Sequence, residues 1–465
     1  MSAMTSLTSL VLGQLRRRPA AFAGTAVALL LAIAAVTLFG SLFAAELATP
    51  AAVRKAAAGP GLMVIAGAFG EIAVLVAFFV VVNALGFALR QQHRELALLR
   101  TVAATPRQTR RLVRGEVLVT TLLVAVPGWA LGAVAARWFL AALQRRGMAS
   151  SAVRVPGTPV PMLVALGVVL LVGLAASAVA ARRISRIAPA AALTASSTEH
   201  ARTGALRLLA GTGALVGGVL LLRLSATRPA DQVDKAGQAA LLASLVLLVA
   251  VALAGPFAAR VLAAVLGGPL RVLAPGAGWL ADANLRGYAR RLSSAVVPVA
   301  LLVGLSGTMS IMTFTAGRAT AAAGGSASSV TSATDIWLRQ AELGMLVCFA
   351  TVSVVNTLVA VTADRRREFA LLRLVGATRP QLLRMLSAEA ALTTAVGVLL
   401  GAAVAGAAAS AFSAAVTGSA VPPVPVGTCG WIVAGAAALV LPGILVTGRW
   451  AVGGPAAELV GGGRD

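Results

Sequence analysis

Two stretches of the chain, NALGFALRQQHRELALLRTVAATPRQTRRLVRGEVLVTTLLVAVPG (83–128) and NTLVAVTADRRREFALLRLVGATRPQLLRMLSAEAALTTAVGVLLG (356–401), are copies of one another. At a fixed offset of 273, without a gap, 17 of 46 positions are identical. Shared apolar composition gives a few coincidences between such segments. It does not align Asn83 with Asn356, Arg94-Glu95 with Arg367-Glu368, Arg100 with Arg373, Gln108 with Gln381 and Glu116 with Glu389. Further out, RRISRIAPAAAL (182–193) echoes GRWAVGGPAAEL (448–459) more weakly. The chain is therefore read as a parallel tandem repeat.

Around this repeat the composition sets the solvent. Hydrophobic residues make up 59% of 465 positions and charged residues 12%, half the charge expected of a water-soluble domain. Such a chain cannot hide its apolar surface in water, so lipid is its medium. The net charge of +24 does not point to nucleic acid. Aromatics, the usual stacking partners of bases, are only 4%, and the arginines sit between long uncharged runs. Cys348 and Cys429 lie in or beside apolar runs without metal or redox spacing, and His93 and His200 are isolated. No metal is expected.

A membrane-spanning helix needs about 20 mostly apolar residues. Reading between charges gives Pro19–Ala45, Ile72–Leu89, Val117–Ala136, Val155–Ala181, Leu208–Leu222, Ala236–Ala259, Leu292–Gly317, Leu343–Ala363, Ala390–Phe412 and Gly430–Gly448. The last two are separated by VPPVPVGTCG (421–430). Leu208–Leu222 is short unless Arg207 and Arg223 snorkel to the interfaces. The first run is too long for a signal-peptide core and reads as an uncleaved span. Orientation follows from Lys and Arg. With the N-terminus inside, 28 lie on the cytoplasmic side and 11 outside. The expected fold is an all-α polytopic membrane protein of about ten transmembrane helices in a 4+2+4 arrangement, N-in and C-in. Its segments are 1–200, a two-helix insertion at 201–275, and 276–465. The expected location is the plasma (inner) membrane.

The repeated loop has its own architecture. In RELALLRTVA, Leu96, Leu99 and Ala103 share a helical face, with Leu98 and Val102 beside it. Thr105-Pro106-Arg107-Gln108 then reads as a capping box that opens a second helix, and Thr378-Arg379-Pro380-Gln381 repeats it. Gly376 suits the turn between the two helices. A solvated loop held against lipid phosphate explains the arginines. It does not explain the apolar face, the caps or the duplication, whereas a docking surface for a cytoplasmic partner does.

The pattern E-[LF]-A-L-L-R-x-[VL]-[AG]-A-T, between an apolar span and a Glu that opens the next span, resembles the FtsX-like (MacB-type) permease domain of ABC transporters. The resemblance implies two such domains, at 1–200 and 276–465, and a separate cytoplasmic ABC ATPase on which the loops rest. It makes Arg94–Leu112 and Arg367–Met385 the coupling segments, carried by Arg94, Glu95, Leu98, Leu99, Arg100 and Thr105, and by Arg367, Glu368, Leu371, Leu372, Arg373 and Thr378. The 4+2+4 layout resembles BceB-type permeases, in which one chain pairs with two ATPase copies. It departs from them in lacking a large extracytoplasmic domain, since Glu46–Glu71 and Arg318–Glu342 are short.

No Lys is followed by Ser or Thr in a P-loop pattern, so ATP and Mg belong to the partner and this chain is not expected to be an enzyme. The function implied is export of an amphipathic or hydrophobic compound such as an antibiotic, lipid or peptide. The alternative is a non-transporting signalling permease that relays ATPase state to an envelope partner. Partners are the ATPase and membrane lipid, with no nucleic acid. Asn83 and Asn356 are candidate interhelical polar contacts, because an amide in hydrocarbon seeks a partner.

Overall fold

The structure, a computed structural model, describes residues 19–50, 53, 61–91, 106–184, 205–229, 232–273, 289–322, 333–363 and 366–453. Among these residues the regular structure is helical: α1 (Pro19–Ala48), α2 (Leu62–Gln91), α3 (Pro106–Arg145), α4 (Val160–Ile184), α5 (Ala205–Ala226), α6 (Val233–Leu273), α7 (Ala289–Ala322), α8 (Ala333–Ala363), α9 (Arg366–Leu374), α10 (Arg379–Thr417) and α11 (Val426–Val452). The helices other than α9 fall on the ten stretches read as spans, with α4 starting at Val160 rather than Val155. Among the described residues, seven helices have the length and apolarity to cross a membrane. The protein is a multi-pass α-helical membrane protein.

Three helices, α3, α6 and α10, run far beyond a bilayer. At 1.5 Å per residue, the 40 residues of α3 and 39 of α10 extend about 60 Å, twice the hydrocarbon thickness. The second helix of each repeated loop is therefore not a separate element, as the sequence pattern had suggested. Nothing between Pro106 and Val117 stops the helix, so it runs straight into the span.

The chain forms two compact units, Met1–Ser196 and Ser197–Asp465. In the first, α1 packs against α2, α3 and α4. It meets α3 through Gly128 and Gly132, whose missing side chains let the backbones approach. A Cβ at Gly132 would lie 2.5 Å from the Ala34 carbonyl oxygen, and one at Gly128 would lie 3.1 Å from that of Leu30. Further along the bundle, Phe39, Phe69 and Phe139 bring one ring each from α1, α2 and α3 to within about 6 Å. A tight turn closes α3 at its C-terminal end. Gly147, at φ +73°, starts it, and Gln144 Nε2 donates to the Ser150 and Val153 carbonyls at 3.1 and 2.9 Å.

The second unit repeats the crossing. Gly397 and Gly401 of α10 face Val296, Val299, Ala300 and Val303 of α7, and a Cβ at Gly401 would stand 2.8 Å from the Ala300 carbonyl oxygen. The pair follows Gly128 and Gly132 at an offset of 269 rather than 273. The same contact has slid one helical turn along the helix.

The inserted hairpin packs within this second unit. Ala236 and Ala240 of α6 join Met312, Ala316, Phe412 and Ala415 of α7 and α10 in one core cluster. Consequently Ala411 of α10 is 8% exposed, while its repeat equivalent on α3, Trp138, is 65% exposed. Inside the hairpin, Arg207 of α5 donates from Nε to the Leu253 carbonyl at 2.9 Å and from Nη2 to that of Ala252 at 3.0 Å. Ala252 would normally accept from the amide four residues on, but that residue is Pro256, which has none. Arg207 thus supplies the donor that Pro256 lacks. This replaces the expectation that Arg207 snorkels, and it allows α6 to continue to Leu273 instead of ending at Ala259.

Candidate functional site

The repeated loop is described in the second half. Here α9 forms from RREFALLRL, and its rotation is set by Phe369. That ring is the bulkiest apolar group in the helix and is fully buried, with Ala370 beside it. One turn on, Arg373 Nη1 donates to the carbonyl of Val452 at 2.9 Å. Val452 is the last residue of α11, where orphan carbonyls and the negative end of the helix dipole attract a cation. One cation therefore ties α9 to the end of the final helix.

Two local motifs fix where α9 stops and α10 starts. Gly376 is left-handed at φ +101°. Ala377 N donates to the Leu372 carbonyl and Gly376 N to that of Arg373, at 2.9 and 3.1 Å, a Schellman closure. Thr378 then caps α10. Its backbone N donates to Gln381 Oε1 at 2.9 Å, and its side chain accepts from Gln381 N at 3.4 Å. The capping box read from the sequence is present, with Pro380 in the first turn. The turn is thus held at both ends by hydrogen bonds and couples α9 rigidly to the 39 residues of α10.

The outward face differs from the one the sequence suggested. Glu368 and Leu372, both assigned to the coupling surface from the resemblance, are half-buried. Leu372 lies three residues after Phe369, so burying the ring draws it inward. The exposed ridge is Leu371, Leu374 and Val375, the last 88% exposed. Of the face read in the first loop as Leu96, Leu99 and Ala103, the equivalents Phe369 and Leu372 turn inward. The flanking pair, Leu98 and Val102, corresponds to the exposed Leu371 and Val375. Thr378 is exposed at the turn, and Arg367 lies in the first turn of α9.

Arg94, Glu95, Leu98, Leu99, Arg100 and Thr105 lie outside the described residues, and α3 begins at Pro106 as the capping pattern requires. Asn83 and Asn356 fall in α2 and α8, with their side chains outside the described set. Two residues aligned in the repeat but given no role turn out to be placed alike. Glu116 and Glu389 are both buried in the N-terminal parts of α3 and α10. Thr120 and Thr393 donate to their carbonyls at 2.8 and 2.7 Å, and Thr121 and Thr394 repeat the bond one residue on. The glycine pairs at the α1–α3 and α7–α10 crossings were also unassigned; their four-residue spacing in apolar runs was the available signal.

The profile of the family described as FtsX-like permease C-terminal matches the chain twice, over residues 67–189 and 342–450. Each match contains one copy of the repeated loop. No curated protein matches the chain.

Proposed function

Because this chain belongs to the FtsX-like permeases, with their C-terminal domain present in each half, we propose that it is the membrane subunit of an ATP-driven exporter. Members of this family are non-catalytic permease subunits that work with a cytoplasmic ABC ATPase. The cargo is an amphipathic or hydrophobic compound taken from the membrane, and two ATPase copies bind, one at each repeated loop. In this reading the ten long helices all cross the plasma membrane, with both ends of the chain inside.

The observation that carries the proposal is the build of α9. It is a short helix with one side buried by Phe369, its end tied to α11 by Arg373, and an exposed apolar ridge on the other side. A lipid-anchoring loop needs charge but no rigid mount. A lever needs both a contact surface and a stiff connection, and the Schellman turn and capping box supply the latter. Closure of the ATPase pair would push α9 and α10 as one body. The short connections at residues 49–61 and 323–332 leave no room for a folded sensor domain, which favours transport over signalling.

The test is reconstitution in nanodiscs with the ATPase encoded beside it. Stimulation of hydrolysis by amphipathic compounds, together with their ATP-dependent movement across proteoliposome membranes, supports export. Complex formation with neither stimulation nor movement by any lipid, peptide or drug would replace it with the signalling reading.

A further inference from the structure

We propose that the C-terminal end of α3, with the turn that follows it, binds the phosphate of an anionic membrane phospholipid. Three arginines carry the site, Arg137 and Arg145 on α3 and Arg154 in the turn, and all three are exposed. None of them makes a hydrogen bond or ion pair with a described residue. No acidic residue lies between Glu116 and Glu199, so the chain around them supplies no carboxylate. Arg146 is not part of the set, because its Nη1 donates to the Ala142 carbonyl at 3.3 Å. Gln144 gathers the other three. Its Nε2 donates to the Val153 carbonyl at 2.9 Å, which brings Arg154 back beside the end of α3.

The helix itself shows at what depth these cations meet a bilayer. The exposed side of α3 runs through Leu123, Val126 and Val134 to Trp138, which is 65% exposed, at the spacing of one helix face. The uncharged run before Arg137, residues 117–136, has 20 residues and spans about 30 Å, the thickness of the hydrocarbon. Arg137 and Trp138 therefore fall at the edge of the hydrocarbon, and Arg145 about 12 Å beyond it. The two arginines bracket the headgroup layer, and Trp is enriched at that boundary. A guanidinium meets phosphate with two parallel hydrogen bonds. The second unit has no counterpart. At the offset of 273, Ser410 and Gly418 stand in place of Arg137 and Arg145, and no charge lies between Glu389 and Arg449. The inference rests on the first unit spanning a membrane and not on export, so the two fail separately.

The test places the full chain in nanodiscs of phosphatidylglycerol and phosphatidylcholine. One lipid at a time carries a diazirine beside its phosphate, and adducts are mapped by peptide mass spectrometry. Phosphatidylglycerol is expected to be favoured over phosphatidylcholine at residues 137–154, and not at residues 410–430 of the second unit. Arg137→Gln, Arg145→Gln and Arg154→Gln should each lower that preference about fivefold, the worth of one cation near an anionic surface. Labelling of 410–430 should stay unchanged. The three side chains are exposed and unpaired, so the variants keep the fold. Equal preference at the two turns, or a preference that survives all three substitutions together, would overturn the proposal. So would loss of the adducts in millimolar glycerol 3-phosphate, since the site would then take a soluble phosphate rather than a lipid.

Discussion

Gly401→Ala and Gly406→Ala add the same methyl group to the same helix, α10, and opposite outcomes are expected. At Gly401 the new Cβ would sit 2.8 Å from the Ala300 carbonyl oxygen, 2.8 Å from Val303 Cβ and 3.0 Å from Gly304 N. Carbon and carbonyl oxygen rest at about 3.3–3.6 Å, so α7 must retreat by about half an ångström. A gap of that size forfeits about a quarter or more of each dispersion contact along the crossing. Overpacking of this kind costs about 1–3 kcal/mol, and alanine's better helix propensity returns up to about 1 kcal/mol. The net expectation is a loss of roughly 1–2 kcal/mol. At Gly406 nothing lies within 4 Å, so only the propensity gain remains. Unfolding of the detergent-solubilised protein by SDS titration reads both. Gly132→Ala should be worse than Gly128→Ala, because its Cβ would meet backbone at 2.5 Å rather than 3.1 Å. If Gly401→Ala and Gly406→Ala shift the midpoint in the same direction, the glycine pairs are not the close-packed seams of the two units.

Four further outcomes follow from particular contacts. With Cys348 and Cys429 replaced, cysteines at Gln108 and Gln381 should be shielded from an impermeant thiol reagent in intact cells while those at Ser151 and Ser419 label; the reverse pattern would invert the topology. Arg207→Ala should cost about 1–3 kcal/mol by stranding the Ala252 carbonyl. In a double-mutant cycle with Pro256→Ala much of that loss should vanish, because residue 256 then provides an amide; strict additivity would refute the pairing. Arg373→Met should raise hydrogen exchange across 366–378 while membrane insertion is retained, and unchanged protection would mean that the bond to Val452 does not hold α9. Leu371→Asp with Val375→Asp should weaken ATPase co-purification more than Glu368→Ala, since a charge enters an apolar contact, and equal effects would point back to the half-buried Glu368 face.

Sequence reading placed the long helices because charges bound apolar runs, but it clipped their ends. α2 begins at Leu62 and passes Glu71, which stays exposed, and α8 begins at Ala333, ahead of Arg339 and Glu342. A charge marks where lipid ends, not where a helix ends. The caps at Thr378 and Gly376 were legible because they depend on residues close in the chain. The rotation of α9 was not, because it depends on the burial of Phe369 and on the Val452 carbonyl that Arg373 meets on α11, 79 residues away. The docking of α6 on α7 and α10 was hidden for the same reason. So was the four-residue slide of the glycine pair, since an alignment anchored on the loop at offset 273 carries no information on where two helices cross.

The central claim is that the ridge on α9 is the surface an ATPase grips. Site-specific crosslinking reads it directly, with a photoreactive phenylalanine analogue placed singly at Leu371, Leu374, Val375 or Phe369 of the assembled complex. Adducts to the ATPase are expected from Leu371, Leu374 and Val375, and only intrachain adducts from the buried Phe369 position. An ATPase that co-purifies in full yet gives no adduct from any of the three exposed positions would contradict the claim.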